Sequence, residues 1–133
     1  EKVAGSSLSA GDHGTTYGGN PFVCTAVEKV LDLFEENHVV ENVREVAPYL
    51  ESCLDALKEK YGCILERRGV GLMQGLVFDG PVREMIDRAL EEGLILINAG
   101  ENVIRLLPPL TVSRANIDEM IDILESCLES GEE

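Results

Sequence analysis

Residues 14–21, written GTTYGGNP, are the stretch of this chain best suited to hold an anion. Two threonines bring hydroxyl donors, and glycines let a ligand approach the backbone closely because they carry no Cβ. Asn20 and Pro21 fit the N-cap and first position of a helix, whose N-terminus offers unpaired N–H groups and the positive end of its dipole. The pattern predicts a phosphate site, although a tight, well-capped connection without a ligand explains the same residues.

Arg105 is the second residue with chemical potential, because it is a lone charge in an apolar stretch. Strand alternation would point it away from Ile104 and Leu106, so a side chain facing water is one explanation. A planar guanidinium also binds a carboxylate through two parallel hydrogen bonds. The residue pattern alone leaves both interpretations open.

Hydrophobic periodicity predicts the elements that position these residues. The helices are expected over residues 21–36, from about 39 to 62 with Pro48 as a kink or a break, from 82 to 93, and from an N-cap at Ser113 onward. The expected strands cover residues 63–66, 70–78 and 103–107, with a continuous apolar run at 94–97. Residues 1–19 show no helical period and read as a loop that lies against something else. The order of elements predicts an α+β fold, in which helices pack on one face of a small, mostly antiparallel sheet.

The predicted buried positions follow the helical stripes. In the helix after Pro81 they are Val82, Met85, Ile86, Ala89 and Leu90, and in the last helix they are Ile117, Met120, Ile121, Leu124 and Leu128. Both sets recur at three- and four-residue spacing.

Composition excludes several classes of function. With 25 acidic and 11 basic residues, the net charge of −14 disfavours nucleic acid and anionic lipid as partners. No apolar run approaches the roughly 20 residues that span a bilayer. The four cysteines form no CxxC, and with only His13 and His38 beside them they give no recognisable zinc spacing, so no metal is expected. Reduced cysteines and the lack of a signal peptide favour a cytoplasmic location.

Three motifs carry a resemblance to a known family. Residues 11–21, GDHGTTYGGNP, closely resemble the stretch of class III pyridoxal-phosphate aminotransferases, of the ornithine and acetylornithine type, that crosses the dimer interface. Residues 68–73, RGVGLM, resemble the family's R-G-x-G-L-M strand, and residues 103–110, VIRLLPPL, resemble its V-I-R-x-x-P-P-L strand. The motifs occur in the family's order over almost the whole chain.

The resemblance implies a cofactor, a fold and two site residues. The cofactor is pyridoxal 5'-phosphate in a homodimer, and Thr16 matches the threonine that reaches the phosphate bound in the neighbouring subunit. Arg105 matches an arginine at the substrate pocket, which pairs with a glutamate of the large domain or meets a substrate carboxylate. Residues 1–20 would be an interface loop belonging to the large domain, and residues 21–133 the small C-terminal α+β domain of a fold-type I enzyme, with three or four mostly antiparallel strands.

The implied reaction transfers the terminal amino group of N2-acetylornithine to 2-oxoglutarate, as in arginine biosynthesis; ornithine- and 4-aminobutyrate-type enzymes are related alternatives. The four lysines, Lys2, Lys29, Lys58 and Lys60, do not match the family's Schiff-base motif. We therefore assign no catalytic residue and expect the chain, as a C-terminal third, to be inactive by itself. The alternative from another class is a non-catalytic acidic α+β module that binds a partner. It explains the missing lysine motif but not three family motifs in order.

Overall fold

The computed structural model describes residues 7, 9, 11, 12 and 14–131. Four helices are defined: α1 (Pro21–Glu36), α2 (Val39–Lys60), α3 (Arg83–Glu91) and α4 (Arg114–Glu129). Four strands are defined: β1 (Ile64–Val70), β2 (Met73–Phe78), β3 (Ile97–Asn98) and β4 (Val103–Leu106). Contacts divide the chain into two compact units, Glu1–Asn37 and His38–Glu133. The predicted boundary after residue 20 refers to a whole enzyme and stays a prediction.

The first unit contains α1, which begins and ends where the hydrophobic period predicts. Asn20 caps the helix and Pro21 takes its first position, where the missing N–H of proline costs no hydrogen bond. No residue of α1 is buried. Its apolar stripe is instead exposed, with Phe22 at 84% and Leu31 at 61% of full exposure.

The second unit opens with α2, a single helix that contains Pro48. The prediction of a possible break at Pro48 is wrong, because the helix continues through it. Proline removes one hydrogen bond from a helix interior. Ala47 and Leu50, which flank Pro48, are both buried in the core, and this packing holds the helix together across the proline.

The sheet has the strand order β1-β2-β4-β3, and every neighbouring pair is antiparallel. This confirms the predicted α+β class and the four-stranded, antiparallel alternative. The predicted strand boundaries at residues 63–66 and 70–78 are wrong, since β1 continues to Val70. The chain turns at residues 71–72, where Gly71 has a φ of 60°. The two consecutive arginines of β1 lie on opposite faces: Arg67 contacts Asp55 on the core side, and Arg68 is on the same face as Arg105.

The apolar run at residues 94–97 contributes little to the sheet. Only Ile97 of this run lies in β3. Leu96 is buried, whereas Ile95 is 78% exposed. The predicted strand at residues 103–107 ends one residue early, at Leu106.

One face of the sheet packs on the helices and forms the core. The core joins α2, the sheet, α3 and α4 through Leu50, Leu54, Leu57, Ile64, Leu76, Phe78, Met85, Ile104, Leu106, Ile117, Leu124 and Cys127. The predicted burial of Leu90 is wrong, because this residue is 59% exposed at the end of α3. Its neighbour Ala89 is buried in the core. In the last helix, Met120 and Ile121 are partly buried and pack against the core.

The opposite face, here called the open face, carries Arg68, Val70, Met73, Gly75 and Arg105.

No helix of the described residues is long and apolar enough to cross a membrane. Within the same part of the chain, no cluster of three or more His, Cys, Asp or Glu side chains is placed to hold a metal ion.

Candidate functional site

The loop before α1 is shaped by a threonine and two glycines. Thr15 Oγ1 accepts a hydrogen bond from the Gly18 N–H at 3.2 Å. A Cβ at Gly18 would lie 2.2 Å from the Thr15 methyl carbon, and Gly19 has a φ of 74°, a conformation that favours glycine. The loop therefore needs glycine at both positions, one for space and one for backbone conformation.

The start of α1 satisfies part of its own hydrogen bonding. Asn20 Oδ1 accepts from the Val23 N–H at 3.0 Å, and Asn20 Nδ2 donates to the Tyr17 carbonyl at 2.5 Å. An anion would thus meet fewer unpaired N–H groups at this helix end than the sequence pattern indicates. The cap, rather than a ligand, explains why asparagine stands at position 20.

Thr16 differs from its neighbour Thr15. Its side chain is exposed, and within the part of the chain that the structure describes its hydroxyl makes no hydrogen bond. A hydroxyl held on a constrained loop without an internal partner is suited to donate to an oxyanion. The phosphate contact of Thr16 stays a prediction. His13, which the sequence places in the same loop, lies outside the described residues.

Arg105 projects from the open face of β4. Ile104 and Leu106 are 0% and 4% exposed on the core side, so strand alternation points Arg105 outward, as predicted. The arginine stands opposite Gly75 on β2 and Ile97 on β3. Among the described residues, none forms a hydrogen bond or ion pair with its guanidinium. It is available to bind a carboxylate.

Cavities lie on both sides of Arg105. The first, of about 420 Å³, extends over β2 and β1 along the open face. The second, of about 390 Å³, is apolar and runs past Ile95 and Pro108 to Met120 on α4. A small molecule with a charged end and an apolar body fits such a combination.

The loop that follows β4 is held by a side chain that the sequence reasoning missed. Asn42 Nδ2, on α2, donates to the carbonyls of Leu110 at 2.9 Å and Val112 at 3.1 Å. These bonds attach to α2 the segment that directly follows Pro108 and Pro109, and Val112 of this segment lines the second cavity. An asparagine in the first turn of α2 gives no local sequence signal of such a long-range contact.

Beneath the open face, a polar network supports the β1–β2 hairpin. Arg67 binds both carboxylate oxygens of Asp55, with Nε at 2.6 Å and Nη2 at 3.1 Å, and donates from Nη1 to Gln74 Oε1 at 3.0 Å. Gln74, only 1% exposed, donates to the Gly71 carbonyl at 2.7 Å and to Glu51 at 3.2 Å. The guanidinium of Arg67 lowers the pKa of Asp55 below its ordinary value. The lone amide in an apolar strand was the only sequence signal for this network.

The described lysines lie on the surface. Lys29 pairs with Glu36 at 3.1 Å, and Lys60 pairs with Glu125 at 3.0 Å. Lys58 is exposed. Thr16 belongs to the first unit and Arg105 to the second, so each site residue is placed within its own unit.

A small antiparallel sheet with helices on one face and an unpaired arginine on the other is the architecture expected of an aminotransferase C-terminal domain. The family model for class III aminotransferases matches residues 1–128, and the chain belongs to this family. This membership favours the enzyme over the non-catalytic module.

The relatives point to a narrower group. The chain is 46% identical over 129 residues to the acetylornithine aminotransferase of Clostridium acetobutylicum, covering 96% of this chain and 33% of that protein. It is 42% identical over 126 residues to the acetylornithine aminotransferase of Gloeobacter violaceus, covering 93% and 32%. Among solved structures, the lysine aminotransferase of M. tuberculosis superimposes with a TM-score of 0.81 at 30% identity, over 89% of this chain and 28% of that one. The chain thus spans about a third of the length of the curated relatives that it matches.

Proposed function

We propose that this chain is the C-terminal part of a pyridoxal-phosphate-dependent aminotransferase that transfers the terminal amino group of N2-acetylornithine to 2-oxoglutarate. Two observations support the proposal: relatives at 46% and 42% identity are acetylornithine aminotransferases, and Arg105 stands unpaired on the open face of the sheet. The unpaired Arg105 is the observation that supports a substrate site here, because a guanidinium can bind the carboxylate of a substrate.

The loop before α1 fits the phosphate end of the cofactor. Thr16 offers a hydroxyl with no partner among the described residues, on a loop that Thr15, Gly18 and Gly19 hold in shape. Pyridoxal phosphate, when bound, supplies the electron sink that makes amino-group transfer possible. In the proposed homodimer, Thr16 holds the phosphate of the neighbouring subunit, and the exposed apolar stripe of α1 is the surface that the rest of the assembly covers.

Arg105 would orient the substrate rather than react with it. Its fixed fork of donors matches the two oxygens of a carboxylate, so it restricts how the substrate lies on the sheet. Both partners in the proposed reaction carry carboxylates, and 2-oxoglutarate carries two. The M. tuberculosis relative is a lysine aminotransferase with the same fold, so this fold does not by itself decide the amino donor. We take N2-acetylornithine from the names of the curated relatives, with ornithine and 4-aminobutyrate as alternative donors.

The covalent step needs an activated lysine, and none of the described lysines, Lys29, Lys58 and Lys60, lies in a suitable site. A lysine becomes a nucleophile when burial or a neighbouring charge lowers its pKa. Lys60 is instead paired with Glu125, and hydrogen bonding to Tyr61 and Glu125 raises its pKa. We therefore propose that the isolated chain does not catalyse transamination, and that the enzyme acts in the cytoplasm as a homodimer.

A chimaera tests the proposal with this chain itself. The matching C-terminal third of the Clostridium acetobutylicum enzyme would be replaced by residues 1–133, and turnover of N2-acetylornithine with 2-oxoglutarate would be measured. The proposal predicts that the chimaera is active and that the isolated chain, freed of host enzymes, is not. A chimaera that is folded, dimeric and loaded with cofactor but inactive would contradict it, as would turnover by the isolated chain.

A further inference from the structure

A second arginine stands beside Arg105 on the open face. Arg68 on β1 pairs with Gly75 on β2, and Gly75 pairs with Arg105 on β4. Residues that pair directly across strands point to the same face of a sheet. Arg68 and Arg105 therefore flank Gly75 on one face, two strands apart, with Cα atoms about 10 Å from each other.

Because Gly75 has no side chain, no side chain of β2 fills the space between the two arginines. The cavity of about 420 Å³ on the open face is lined by Arg68, Val70, Met73, Gly75, Val103 and Arg105. A Cβ at Gly75 would lie 3.6 Å from Val103 Cγ1 and 3.7 Å from Arg68 Cγ, which are ordinary contacts. An alanine would thus fit without strain, but its methyl group would cover the floor of the cavity.

Neither guanidinium is used by the fold. In the described part of the chain, Arg67, Arg83 and Arg114 form ion pairs, whereas Arg68 and Arg105 form no ion pair or hydrogen bond. The carboxylate of Glu66 is on the same face two residues before Arg68, and it does not pair with that arginine. Since the chain carries a net charge of −14, two unpaired cations side by side create a local positive field in a surface that otherwise repels anions.

Hydrogen bonds on the core side of the sheet hold β1, the strand that carries Arg68. Its neighbours Arg67 and Gly69 face Gln74, which is buried and bonded to the hairpin carbonyl of Gly71. A binding side chain on a rigid, supported strand loses less conformational entropy on binding than one on a loop. Arg68 is therefore held where an anion over Gly75 meets it.

We propose that Arg68 is a second carboxylate-binding residue, which shares with Arg105 one anion that lies over Gly75. This inference rests on the proposed function for the substrate, a small dicarboxylate of the 2-oxoglutarate type, while the binding itself requires only this chain. Two guanidinium groups on one carboxylate provide more charge-assisted hydrogen bonds than Arg105 alone, so the anion is held more tightly when both arginines are present.

The test is a titration of the isolated chain with glutarate at constant ionic strength, followed by NMR of the arginine Nε–Hε groups. We expect the Arg68 and Arg105 signals to shift with the same half-saturation concentration. Arg68→Gln should raise that concentration about tenfold, which corresponds to the loss of about 1.4 kcal/mol. Gly75→Ala should raise it as well, because the methyl group occupies the anion's place.

Arg44→Gln is the matched control, because Arg44 is exposed on α2, forms no ion pair among the described residues and does not line the cavity. It removes the same charge and should leave the half-saturation concentration unchanged. The inference is overturned if the Arg68 signal does not move, or if Arg68→Gln behaves like Arg44→Gln. The proposed function can fail separately, through an inactive chimaera, while glutarate still binds between the two arginines.

Discussion

Arg67 and Asp55 form a two-pronged ion pair that joins β1 to α2, with Nε–Oδ1 and Nη2–Oδ2 distances of 2.6 and 3.1 Å. The Arg67 side chain is 19% exposed, and Asp55 is 50% exposed. The pair holds β1 to the helix on the core side of the sheet. Arg68, the next residue of β1, lies on the open face. The same hairpin therefore combines a structural arginine with an arginine available for binding.

The first prediction concerns how the Arg67–Asp55 pair affects stability at neutral and at acidic pH. Because Arg67 lowers the pKa of Asp55 in the folded state, the pair stabilises the protein above the unfolded-state pKa of about 3.9. That contribution is lost as pH falls through the still lower folded-state pKa. Asp55→Asn should cost about 1 kcal/mol at neutral pH, a modest value because solvent screens the half-exposed carboxylate, and nothing at low pH. Urea unfolding at neutral pH and at the most acidic pH at which the protein still folds measures both differences in the free energy of unfolding. An equal loss at both pH values would contradict this role.

The second prediction concerns Gly69. Its φ of 146° favours glycine, and a Cβ there would lie 2.1 Å from the Met73 carbonyl oxygen and 2.8 Å from Gln74 Cα. Both are backbone atoms, so the hairpin itself would have to shift. Gly69→Ala should lower the free energy of unfolding by about 2–3 kcal/mol. Gly62→Ala is the control, since no atom lies within 4 Å of its added Cβ. Equal unfolding midpoints in urea for the two variants would contradict the account.

The third prediction separates two leucines with the same helical periodicity. Leu54 on α2 is 0% exposed, and Leu31 on α1 is 61% exposed. Leu54→Ala should lower the free energy of unfolding by about 2–5 kcal/mol, because it leaves a cavity in the core. Leu31→Ala should change it by less than about 0.5 kcal/mol in dilute solution. Denaturant unfolding of both variants measures these changes, and a comparable loss from Leu31→Ala would contradict the exposure of Leu31.

The fourth prediction assigns a cofactor contact to Thr16. In the chimaera, Thr16→Val should weaken pyridoxal-phosphate binding about tenfold, because a charge-assisted hydrogen bond to the phosphate is lost. Thr111→Val is the control, since Thr111 is exposed and no hydrogen bond of its hydroxyl is seen among the described residues. Cofactor dissociation constants, measured by absorbance, test the difference. Unchanged affinity for pyridoxal phosphate after Thr16→Val would contradict a hydrogen bond between Thr16 and the phosphate.

The sequence predicted the features that depend on local pattern. The start of α4 at Ser113 is confirmed in detail, since Ser113 Oγ accepts from the Asn116 N–H at 3.3 Å and Asn116 Oδ1 accepts from the Ser113 N–H at 3.2 Å. The outward direction of Arg105 is confirmed because strand alternation is a local property. Both depend only on nearby residues and on hydrophobic burial.

Features that depend on distant contacts were missed. The predicted strand 63–66 ends too early, because the contact with Asp55 that places Arg67 on the core side of β1 cannot be read from neighbouring residues. Of the two predicted effects of Pro48, a kink or a break, the break is wrong, because α2 continues through the proline with Ala47 and Leu50 buried in the core. Gln74 was not singled out at all, because its partners lie on other elements.

The central claim is that Arg105, on the open face of an aminotransferase small domain, binds a substrate carboxylate. The most direct measurement is kcat/KM of the chimaera for 2-oxoglutarate after Arg105→Gln, with Arg44→Gln as the charge-matched control. We expect a loss on the order of a hundredfold for Arg105→Gln, since two charge-assisted hydrogen bonds worth about 3 kcal/mol disappear, and no loss for Arg44→Gln. A folded, cofactor-loaded Arg105→Gln chimaera with the same kcat/KM as its parent would contradict the claim.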